Sequence, residues 1–407
     1  MAAVPLYNPR PDRGHHPNMT RPRTTRREGL SQDAERLVWL ANGLAESGNR
    51  AEDRFWEQHL GRLVDQLLDD GDEAPINDAL DFLYSSSTTA YDELADFVES
   101  RAENASRHMA DEDVILVAAP LLAWSRYRIP AAAIAPAVLA NLRVHLQAHV
   151  LADGVKLALA DFLFSPDHLP VGYCNTARMA DSLGAAAQQN RDLSVDTAEL
   201  PETAHFLSDT RYLLFAVAVP RGAPMFRWQE PGGDREHALT QWRSQGGACL
   251  MPLLPGCAMD VVLPDAYFAA SRRADRASRG YAVRASVAFL GTTLAVPASN
   301  LRAVVAPFHD RKLEEYRIGL TLRDSDQVVH GIVWPLLGAE DEASDVPLQI
   351  EASLRECGVG DILLLDHRFP LEFCDDCGAP LYPSPEGETV HAELPEEEAA
   401  QIPRHLH

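Results

Sequence analysis

The residues best suited to chemistry are two cysteines near the C-terminus, Cys374 and Cys377, in the stretch FCDDCGAPLYP. Two cysteines separated by two residues and followed by glycine are typical of a zinc knuckle. In such a turn backbone N–H groups point at the thiolates, and the glycine takes a left-handed backbone conformation. The next stretch, PLYPSPEGETVHAEL, predicts a β-hairpin around Ser-Pro-Glu-Gly. A knuckle followed by a hairpin is half of a zinc ribbon.

A tetrahedral zinc site needs four ligands, and a complete ribbon would repeat the CxxC pair ~15–20 residues later. No cysteine follows Cys377, but His391 on the returning strand gives the spacing C-x2-C-x13-H. We therefore predict a zinc site formed by Cys374, Cys377 and His391. A site shared between two subunits, each giving its two knuckle cysteines, is the alternative. The upstream candidates for a further ligand are Cys249, Cys257, Cys357 and His367.

Two other interpretations of the cysteine pair stay open. A thioredoxin-type redox pair needs a helix N-terminus beside the thiol to lower its pKa, and the sequence predicts none there. A degenerate knuckle that has lost its second half would bind no metal. If metal binds, four protein ligands would make the site structural, whereas an open coordination position would favour catalysis.

Signals for catalysis elsewhere in the chain are weak. The sequence contains no G-x-S-x-G elbow, no G-x-x-x-x-G-K-[ST] loop, no G-x-G-x-x-G turn and no H-E-x-x-H helix. Cys174 is a candidate nucleophile because His168 lies six residues before it. A free cysteine is, however, more often a small buried hydrophobe.

The charge distribution argues against a nucleic-acid-binding protein. The 407-residue chain has a formal net charge of −24, and residues 31–113 hold 21 acidic and six basic residues. An acidic body repels phosphates and suits a basic protein partner. Residues 1–30 carry six arginines against Asp12 and Glu28, which predicts a disordered basic leader, with residues 1–18 expected to be dispensable.

The distribution of apolar residues indicates a cytoplasmic protein without a membrane span. No run of about 18 apolar residues is free of charge and proline. The first residues show no apolar core of a secretory signal. Six cysteines at irregular positions do not form the pattern of a disulfide framework.

Residues 31–112 predict a domain of four amphipathic helices. Ser31 is a suitable N-cap for the first helix, and Leu37, Leu40, Ala41 and Leu44 then recur at helical spacing. Three further helical segments follow, separated by short polar breaks. Breaks of this length favour antiparallel neighbours and therefore a four-helix bundle.

Beyond this domain the pattern changes to alternating strand-like and helical segments, which indicates α/β structure. The apolar run VILVAAPLL predicts a strand covered on both faces. Similar landmarks then recur along the chain, which predicts an α/β unit used twice. The matched pairs are Ala119–Ala135 with Met251–Ala270, and Arg211–Trp228 with Glu315–Trp334. Each member of the second pair is interpreted as a β-hairpin, followed by a helix and then another strand.

The predicted fold class is therefore α/β (α+β), with an N-terminal four-helix domain, a tandemly duplicated α/β unit and a C-terminal half-zinc-ribbon hairpin. The predicted segments are a basic leader (1–30), a helical domain (31–112), repeat 1 (113–247), repeat 2 (248–361), a terminal strand with knuckle and hairpin (362–395) and an acidic tail (396–407).

Three features together resemble an uncharacterised proteobacterial domain-of-unknown-function family of about this chain's length. They are the opening LSQDAERLVWLANGLAESGNRAEDRFWE, the Pro-Leu-Leu landmarks and the C-terminal FCDDCGAPLYPSPEGETVHAELPE. The resemblance extends over nearly the whole chain from about Met19 onward. It implies a bacterial cytoplasmic protein with a C-terminal CxxC knuckle. It brings no activity, substrate or catalytic residue.

Two functional hypotheses follow. In the first, the protein is a non-catalytic cytoplasmic adaptor or regulator with a structural zinc knuckle and a protein partner, and it forms a homodimer if the metal is shared. In the second, it is a hydrolase-like enzyme with a site in the cleft between the two α/β repeats, where interfaces and strand ends favour ligand binding. The polar residues of that site would lie in loops and are Asn175, Asn300, Arg302 and His309.

Overall fold

The computed structural model describes residues 29–394, apart from residues 110, 204–205 and 339. The predicted leader, except for its last two residues, and the predicted acidic tail lie outside the described residues. Within this part the chain has an α+β fold, a helical region followed by sheets, which confirms the predicted class. No helix in these ranges is both long enough and apolar enough to cross a membrane.

The predicted four-helix region is confirmed. Its helices are α1 (Gln32–Ala45), α2 (Arg50–Asp70), α3 (Ala74–Ser86) and α4 (Thr88–Ala102). The Oγ of Ser31 accepts a hydrogen bond from the backbone N–H of Ala34 at 3.2 Å, as expected of an N-cap. Gly71 ends α2 with φ +71°, a backbone conformation that glycine adopts without strain. The apolar faces of these helices form one buried cluster.

The first sheet follows the helices. Its elements in chain order are β1 (Glu112–Trp124), α5 (Pro136–His149), β2 (Lys156–Phe164), α6 (Gly172–Gln188), β3 (Ser208–Pro220), α7 (Arg235–Gln241), α8 (Gly247–Leu250), β4 (Ala258–Val261) and β5 (Asp265–Ala266). The strand order is β2-β3-β1-β4, with β5 also paired to β1, and all pairings are antiparallel. Both faces are covered, because alternate residues of β1 belong to two different buried clusters.

The second sheet completes the described chain. Its elements are α9 (Tyr267–Thr293), β6 (Leu301–His309), β7 (Leu313–Leu322), β8 (Val328–Pro335), α10 (Val346–Glu356), β9 (Asp361–Leu364), β10 (Phe369–Pro370), β11 (Tyr382–Pro383) and β12 (Thr389–Val390). The order is β10-β6-β7-β8, with β9 and β10 parallel to β6. The 27-residue α9 contacts β1 and β3 of the first sheet and β8 of the second, so it joins the two sheets.

Several predicted elements differ in the structure. The apolar run VILVAAPLL is a buried strand as predicted, but its counterpart at Met251 lies in helical turns that continue from α8. The segment Arg211–Trp228 is not a hairpin. Its residues 211–220 belong to β3, which pairs with β1 and β2 on its two sides and leaves no free edge for residues 221–228 to pair with as a second strand. The hairpin predicted in Glu315–Trp334 is confirmed as β7 and β8.

The matched landmarks therefore occupy different kinds of element, and the two sheets have different strand orders. A short apolar run followed by proline suits either a buried strand or a helical turn, so the resemblance between the runs did not determine equivalent structures. The division into repeats 113–247 and 248–361 stays a prediction that the sheet topology does not support.

The helical region and the first sheet share a junction. Tyr173, Cys174 and Ala177 of α6 lie in the same buried cluster as the four N-terminal helices. The carboxylate of Glu73 accepts a hydrogen bond from the backbone N–H of Cys174 at 3.0 Å, at the start of α6. A β-carbon at Gly172 would lie 2.4 Å from this carboxylate, so the contact requires glycine. The N–H group of Cys174 lies in the first turn of α6 and has no partner within that helix, and Glu73 supplies its acceptor.

Glu103 has the same role at α9. Its carboxylate accepts a hydrogen bond from the backbone N–H of Phe268 at 2.9 Å, in the first turn of that helix. Burial raises the pKa of Glu103 to about 7, although the hydrogen bond from Phe268 acts in the opposite direction. Two glutamates from the helical region therefore cap two helices that pack on the sheets.

The titration of Glu103 predicts how stability depends on pH. Because its pKa in the folded protein lies above its ordinary value of 4.5, the folded protein holds a proton that the unfolded chain releases. Its contribution to stability is therefore present at low pH and is lost as the pH rises through 7. We expect Glu103→Gln, which keeps a hydrogen-bond acceptor, to abolish a loss of about 2 kcal/mol between about pH 5.5 and 8.5.

Urea unfolding of the unaltered protein and of Glu103→Gln across this pH range measures the difference in the pH dependence of the free energy of unfolding. Glu93→Gln, which removes an exposed carboxylate from α4, the helix that ends just before Glu103, is the matched control. If Glu103→Gln and Glu93→Gln change the pH dependence equally, a buried carboxyl group is not its cause.

Candidate metal centre

The predicted C-terminal hairpin is confirmed and consists of β11 and β12. Its turn is Ser-Pro-Glu-Gly, as the sequence indicates. The backbone N–H of Ser384 donates to the carbonyl of Glu388 at 2.8 Å, and the backbone N–H of Gly387 donates to the carbonyl of Ser384 at 3.0 Å. Ser384 is buried and its Oγ accepts from the backbone N–H of Glu388 at 3.2 Å. These bonds fix the turn that returns the chain toward the knuckle.

The hairpin lies on the face of the second sheet opposite α9, over two glycines that face each other across β7 and β8. Gly319 and Gly331 are direct partners in that strand pair. A β-carbon at Gly319 would lie 2.2 Å from the carbonyl oxygen of Pro383, and one at Gly331 would lie 2.1 Å from the ring of Tyr382. The two glycines therefore remove the side chains that would otherwise keep the hairpin away from the sheet.

Arg317, two residues before Gly319 on β7 and therefore on the same face of the sheet, fixes both ends of the knuckle. Its guanidinium is completely buried and donates to the carbonyl oxygens of Glu372 and Leu381 at 2.6 and 2.8 Å. It also pairs with the carboxylate of Glu315 at 2.6 Å. Its planar group lies 4.4 Å from the ring centroid of Phe308 and 4.9 Å from that of Phe373, in cation–π contact with both.

The knuckle itself is a tight loop between these two anchored ends. The backbone N–H of Cys374 donates to the carbonyl of Ala379 at 2.7 Å, and the backbone N–H of Gly378 donates to the carbonyl of Cys374 at 2.8 Å. Gly378 has φ +70°, the left-handed conformation predicted for the glycine after the second cysteine. The loop therefore has the backbone conformation expected of a zinc knuckle.

The structure brings the three predicted ligands together. One ligand atom from each of Cys374, Cys377 and His391 lies within 4.8 Å of the other two. The Sγ of Cys377 lies 3.3 Å from Nε2 of His391. The other ring nitrogen of His391, Nδ1, faces the carboxylate of Glu393 at 3.7 Å. A carboxylate behind the second nitrogen of a histidine is common where the first nitrogen binds a metal.

The two thiols differ in their electrostatic surroundings. Backbone N–H groups of Asp376 and Cys377 lower the pKa of Cys374, and so does the Cys377 side chain. For Cys377, the N–H of Ala379 acts to lower the pKa, but desolvation and the Cys374 sulfur outweigh it, so the pKa is raised. Two thiolates at this separation repel each other, and a bound cation removes that cost. Two thiolates and one imidazole are a donor set that suits zinc.

The structure places the upstream candidate ligands elsewhere. Cys249 and Cys257 pack against the core of the first sheet, and Cys357 packs against the cluster between the second sheet and α9 and α10. His367 packs against Phe369, with ring centroids 4.1 Å apart and the ring planes inclined by 42°, and is not in the Cys–Cys–His group. Among the described residues the group therefore has three protein ligands.

The residues proposed for an enzyme site are not brought together. Arg302 and His309 lie near opposite ends of β6, roughly 23 Å apart at 3.3 Å per residue. Asn300 is in the turn before that strand, and the side chain of Asn175 in α6 donates to the carbonyl of Val171, the residue before that helix. Arg302 pairs with Asp361 at 3.1 Å. These four side chains do not form one site.

The cysteine considered as a nucleophile is a buried core residue. Cys174 is 4% exposed and packs among the N-terminal helices. Burial raises the pKa of its thiol to about 11. The ring of His168 instead bonds at 3.2 Å to the backbone N–H of Ser165 and at 2.9 Å to the carbonyl of Pro201. Cys174 therefore has no activating base in the geometry predicted for it.

The fold and the site define an α+β protein whose C-terminal Cys–Cys–His knuckle packs on the face of a sheet. The chain belongs to the family described as "Protein of unknown function (DUF2863)", which matches residues 22–405. The expected membership of an uncharacterised family of this length is thus confirmed. No curated protein matches the chain, and no solved structure does.

Proposed function

We propose that this protein is a non-catalytic bacterial cytoplasmic adaptor or regulatory protein in which Cys374, Cys377 and His391 hold a structural zinc ion. The observation that carries this proposal is the convergence of three zinc-type ligands on a loop whose two ends are fixed by Arg317. Zinc at this place would join the knuckle to the returning strand and so lock the hairpin onto the sheet. The ion contributes stability to the folded state because the unfolded chain has no preformed site.

A protein ligand from outside the described residues completes this structural site, because a water ligand at the fourth position would instead favour catalysis. Cys377 is exposed, so that side of the centre faces solvent. A site shared between two copies through four cysteines would exclude His391. The 3.3 Å separation between His391 Nε2 and Cys377 Sγ instead supports a centre within one chain.

Elemental analysis of protein purified without a histidine tag tests the zinc site. We expect about one zinc per chain, lost in Cys374→Ala and in His391→Ala and retained in Cys357→Ala, which removes a cysteine outside the group. Removal of zinc by a chelator should lower the free energy of unfolding by about 3 kcal/mol relative to protein with free zinc at roughly 100 times its Kd. A zinc content near zero that is unchanged by Cys374→Ala would reject the site.

The adaptor role is supported by an aromatic patch on α1 and α2, formed by Trp39, Phe55 and Trp56. Trp39 is 57% exposed and Phe55 49% exposed. Each packs edge-on against Trp56 with ring centroids 5.1 Å apart. The patch lies in the region with 21 acidic and six basic residues. Exposed aromatic rings in an acidic surface suit a basic protein partner.

A labelled synthetic peptide with arginine and leucine on opposite helical faces is a suitable probe for this surface. We expect binding that weakens with added salt and that is weakened further by Trp39→Ser and Phe55→Ser. Tyr127→Ser, which removes an exposed aromatic ring outside the patch, should bind as the unaltered protein does. Absence of binding, or equal binding by all variants, would contradict the proposed partner surface.

A further inference from the structure

The aromatic patch on α1 and α2 lies close to the point where the described chain begins. The first described residue, Gly29, is three positions before Gln32, the first residue of α1. Leu30 packs against the buried cluster of the helical region, which fixes the chain at this point. Trp39 is seven residues after Gln32, roughly 11 Å along the helix axis. The chain that precedes Gly29 therefore joins the structure a short distance from the patch.

The segment directly before Gly29 has the opposite charge to the helices that follow it. Residues 19–28, MTRPRTTRRE, hold four arginines and one acidic residue, Glu28. Residues 31–113 hold 21 acidic and six basic residues, a balance of −15. The two helices that carry the patch, α1 and α2, together hold eight acidic and four basic residues. The segment and the surface beside it therefore attract each other.

The side chains of the patch suit arginine in particular. Trp39 and Phe55 stand nearly perpendicular to the ring of Trp56, at 77° and 82°, and about half of each side chain is exposed. Guanidinium groups stack on exposed aromatic rings, and tryptophan is the best of these rings. The exposed Glu35 and Glu52 lie one helical turn before Trp39 and Trp56. The surface therefore offers an arginine both a stacking partner and an opposite charge.

We propose that residues 19–28 of the same chain occupy the aromatic patch and compete there with a basic protein partner. This inference rests on the partner surface proposed above, and it names what controls access to that surface. Arg26 and Arg23 are four and seven residues before Leu30, so the chain can carry them at most roughly 14 and 25 Å from that residue. Both arginines can therefore reach the patch. The contact needs no residue before position 19.

The covalent connection makes a weak contact sufficient. A segment joined to its binding site by a short stretch of chain has an effective concentration of about 1 mM there. With an intrinsic Kd of about 0.1 mM, the segment would occupy the patch in about nine chains of ten. A partner that binds the patch must displace the segment, which weakens its apparent affinity about tenfold.

The full-length protein with altered arginines tests this competition, with the labelled arginine–leucine peptide as the probe. Arg23→Ser/Arg26→Ser removes two of the four arginines of the segment, and we expect the probe to bind roughly fivefold more tightly. Arg10→Ser/Arg13→Ser removes the same charge from residues 1–18 and should leave the Kd unchanged. Far-UV circular dichroism checks that both variants remain folded.

A second measurement detects the segment on the patch without any partner. The indole N–H signal of Trp39 in NMR spectra, assigned with Trp39→Phe, should shift in Arg23→Ser/Arg26→Ser and not in Arg10→Ser/Arg13→Ser. The shift should not depend on protein concentration, because the segment and the patch belong to one chain.

The two measurements distinguish failure of this inference from failure of the partner surface. An unshifted Trp39 signal, or probe binding with an unchanged Kd, overturns the inference and leaves the partner surface intact. A shift that grows with protein concentration also overturns it, because the segment would then bind a second copy. If no variant binds the probe, the partner surface is rejected, and the Trp39 signal alone decides whether the segment lies on the patch.

Discussion

Replacing Arg317 with alanine is expected to lower the free energy of unfolding by about 3–5 kcal/mol. The side chain is completely buried and pairs with Glu315, whose pKa is already raised by burial in spite of that pairing. Without the guanidinium, the Glu315 carboxylate would be a buried charge without its partner. The carbonyl groups of Glu372 and Leu381 would also lose their donor.

Chemical unfolding followed by circular dichroism measures this loss, and the zinc content of Arg317→Ala reports whether the knuckle still binds metal. Arg355→Ala is the matched control, because Arg355 forms an exposed i,i+4 pair with Glu351 on α10 and should contribute about 0.5 kcal/mol or less. Arg317→Lys keeps the charge but lacks the planar fork, so it should fall between the two. If Arg317→Ala is no more destabilising than Arg355→Ala, Arg317 does not hold the knuckle.

Replacing Gly319 with alanine is expected to lift the C-terminal hairpin from the second sheet and to lower the free energy of unfolding by about 3 kcal/mol. The added β-carbon would lie 2.2 Å from the Pro383 carbonyl oxygen, which is part of the backbone and not a flexible side chain. One of the two strands must therefore move. Hydrogen exchange of the backbone amides of Tyr382 and Ser384, on either side of Pro383, should become faster, because the hairpin would no longer be held on the sheet.

Gly360→Ala is the control for this variant. A β-carbon at Gly360 would meet no heavy atom within 4 Å, and its φ lies outside the left-handed region, so stability and exchange should change little. Unchanged exchange in the hairpin of Gly319→Ala would mean that the sheet and hairpin are not in the close contact described. The Gly331→Ala variant probes the same contact through the ring of Tyr382.

The parts of the fold that the sequence predicted are those encoded locally. The four N-terminal helices follow from apolar periodicity and from caps such as Ser31. The knuckle and hairpin follow from the spacing of Cys374, Cys377 and His391 and from the Ser-Pro-Glu-Gly turn. In each case the determining residues lie within about 20 positions of one another, where backbone geometry limits the possible structures.

The residues that support the site were not predicted from the sequence. Arg317 lies 57 residues before Cys374, and its signal is a charged residue within the strand EYRIGLTL. By β-strand propensity alone, Gly319 and Gly331 are expected to weaken the strands that contain them. Their role depends on which segment covers that face of the sheet, and a single sequence contains no information about pairing between distant segments. Charged residues and glycines inside otherwise apolar strands were the only available clues.

The predicted duplication is the opposite case. Here a local sequence pattern predicted equivalent elements, and the structure has different elements at the matched positions. Pro120 lies in the middle of β1, whereas Pro252 lies in a helical turn, although both are followed by two leucines. The difference arises from their surroundings. The run at Pro120 continues a long apolar segment that both neighbouring strands can cover, while the run at Pro252 follows a helix that it extends. The shared Pro-Leu-Leu sequence does not itself show whether strands or a helix surround it.

Glu73 and Glu103 have a consequence for the order of folding. The helices α1–α4 are joined by short connections, so their mutual contacts are local and should form early. The first turns of α6 and α9 receive hydrogen-bond acceptors from side chains at the ends of that bundle, Glu73 before α3 and Glu103 after α4. We expect the bundle to act as a template on which α6 and α9 begin, and the two sheets to assemble around helices whose starting points are already set.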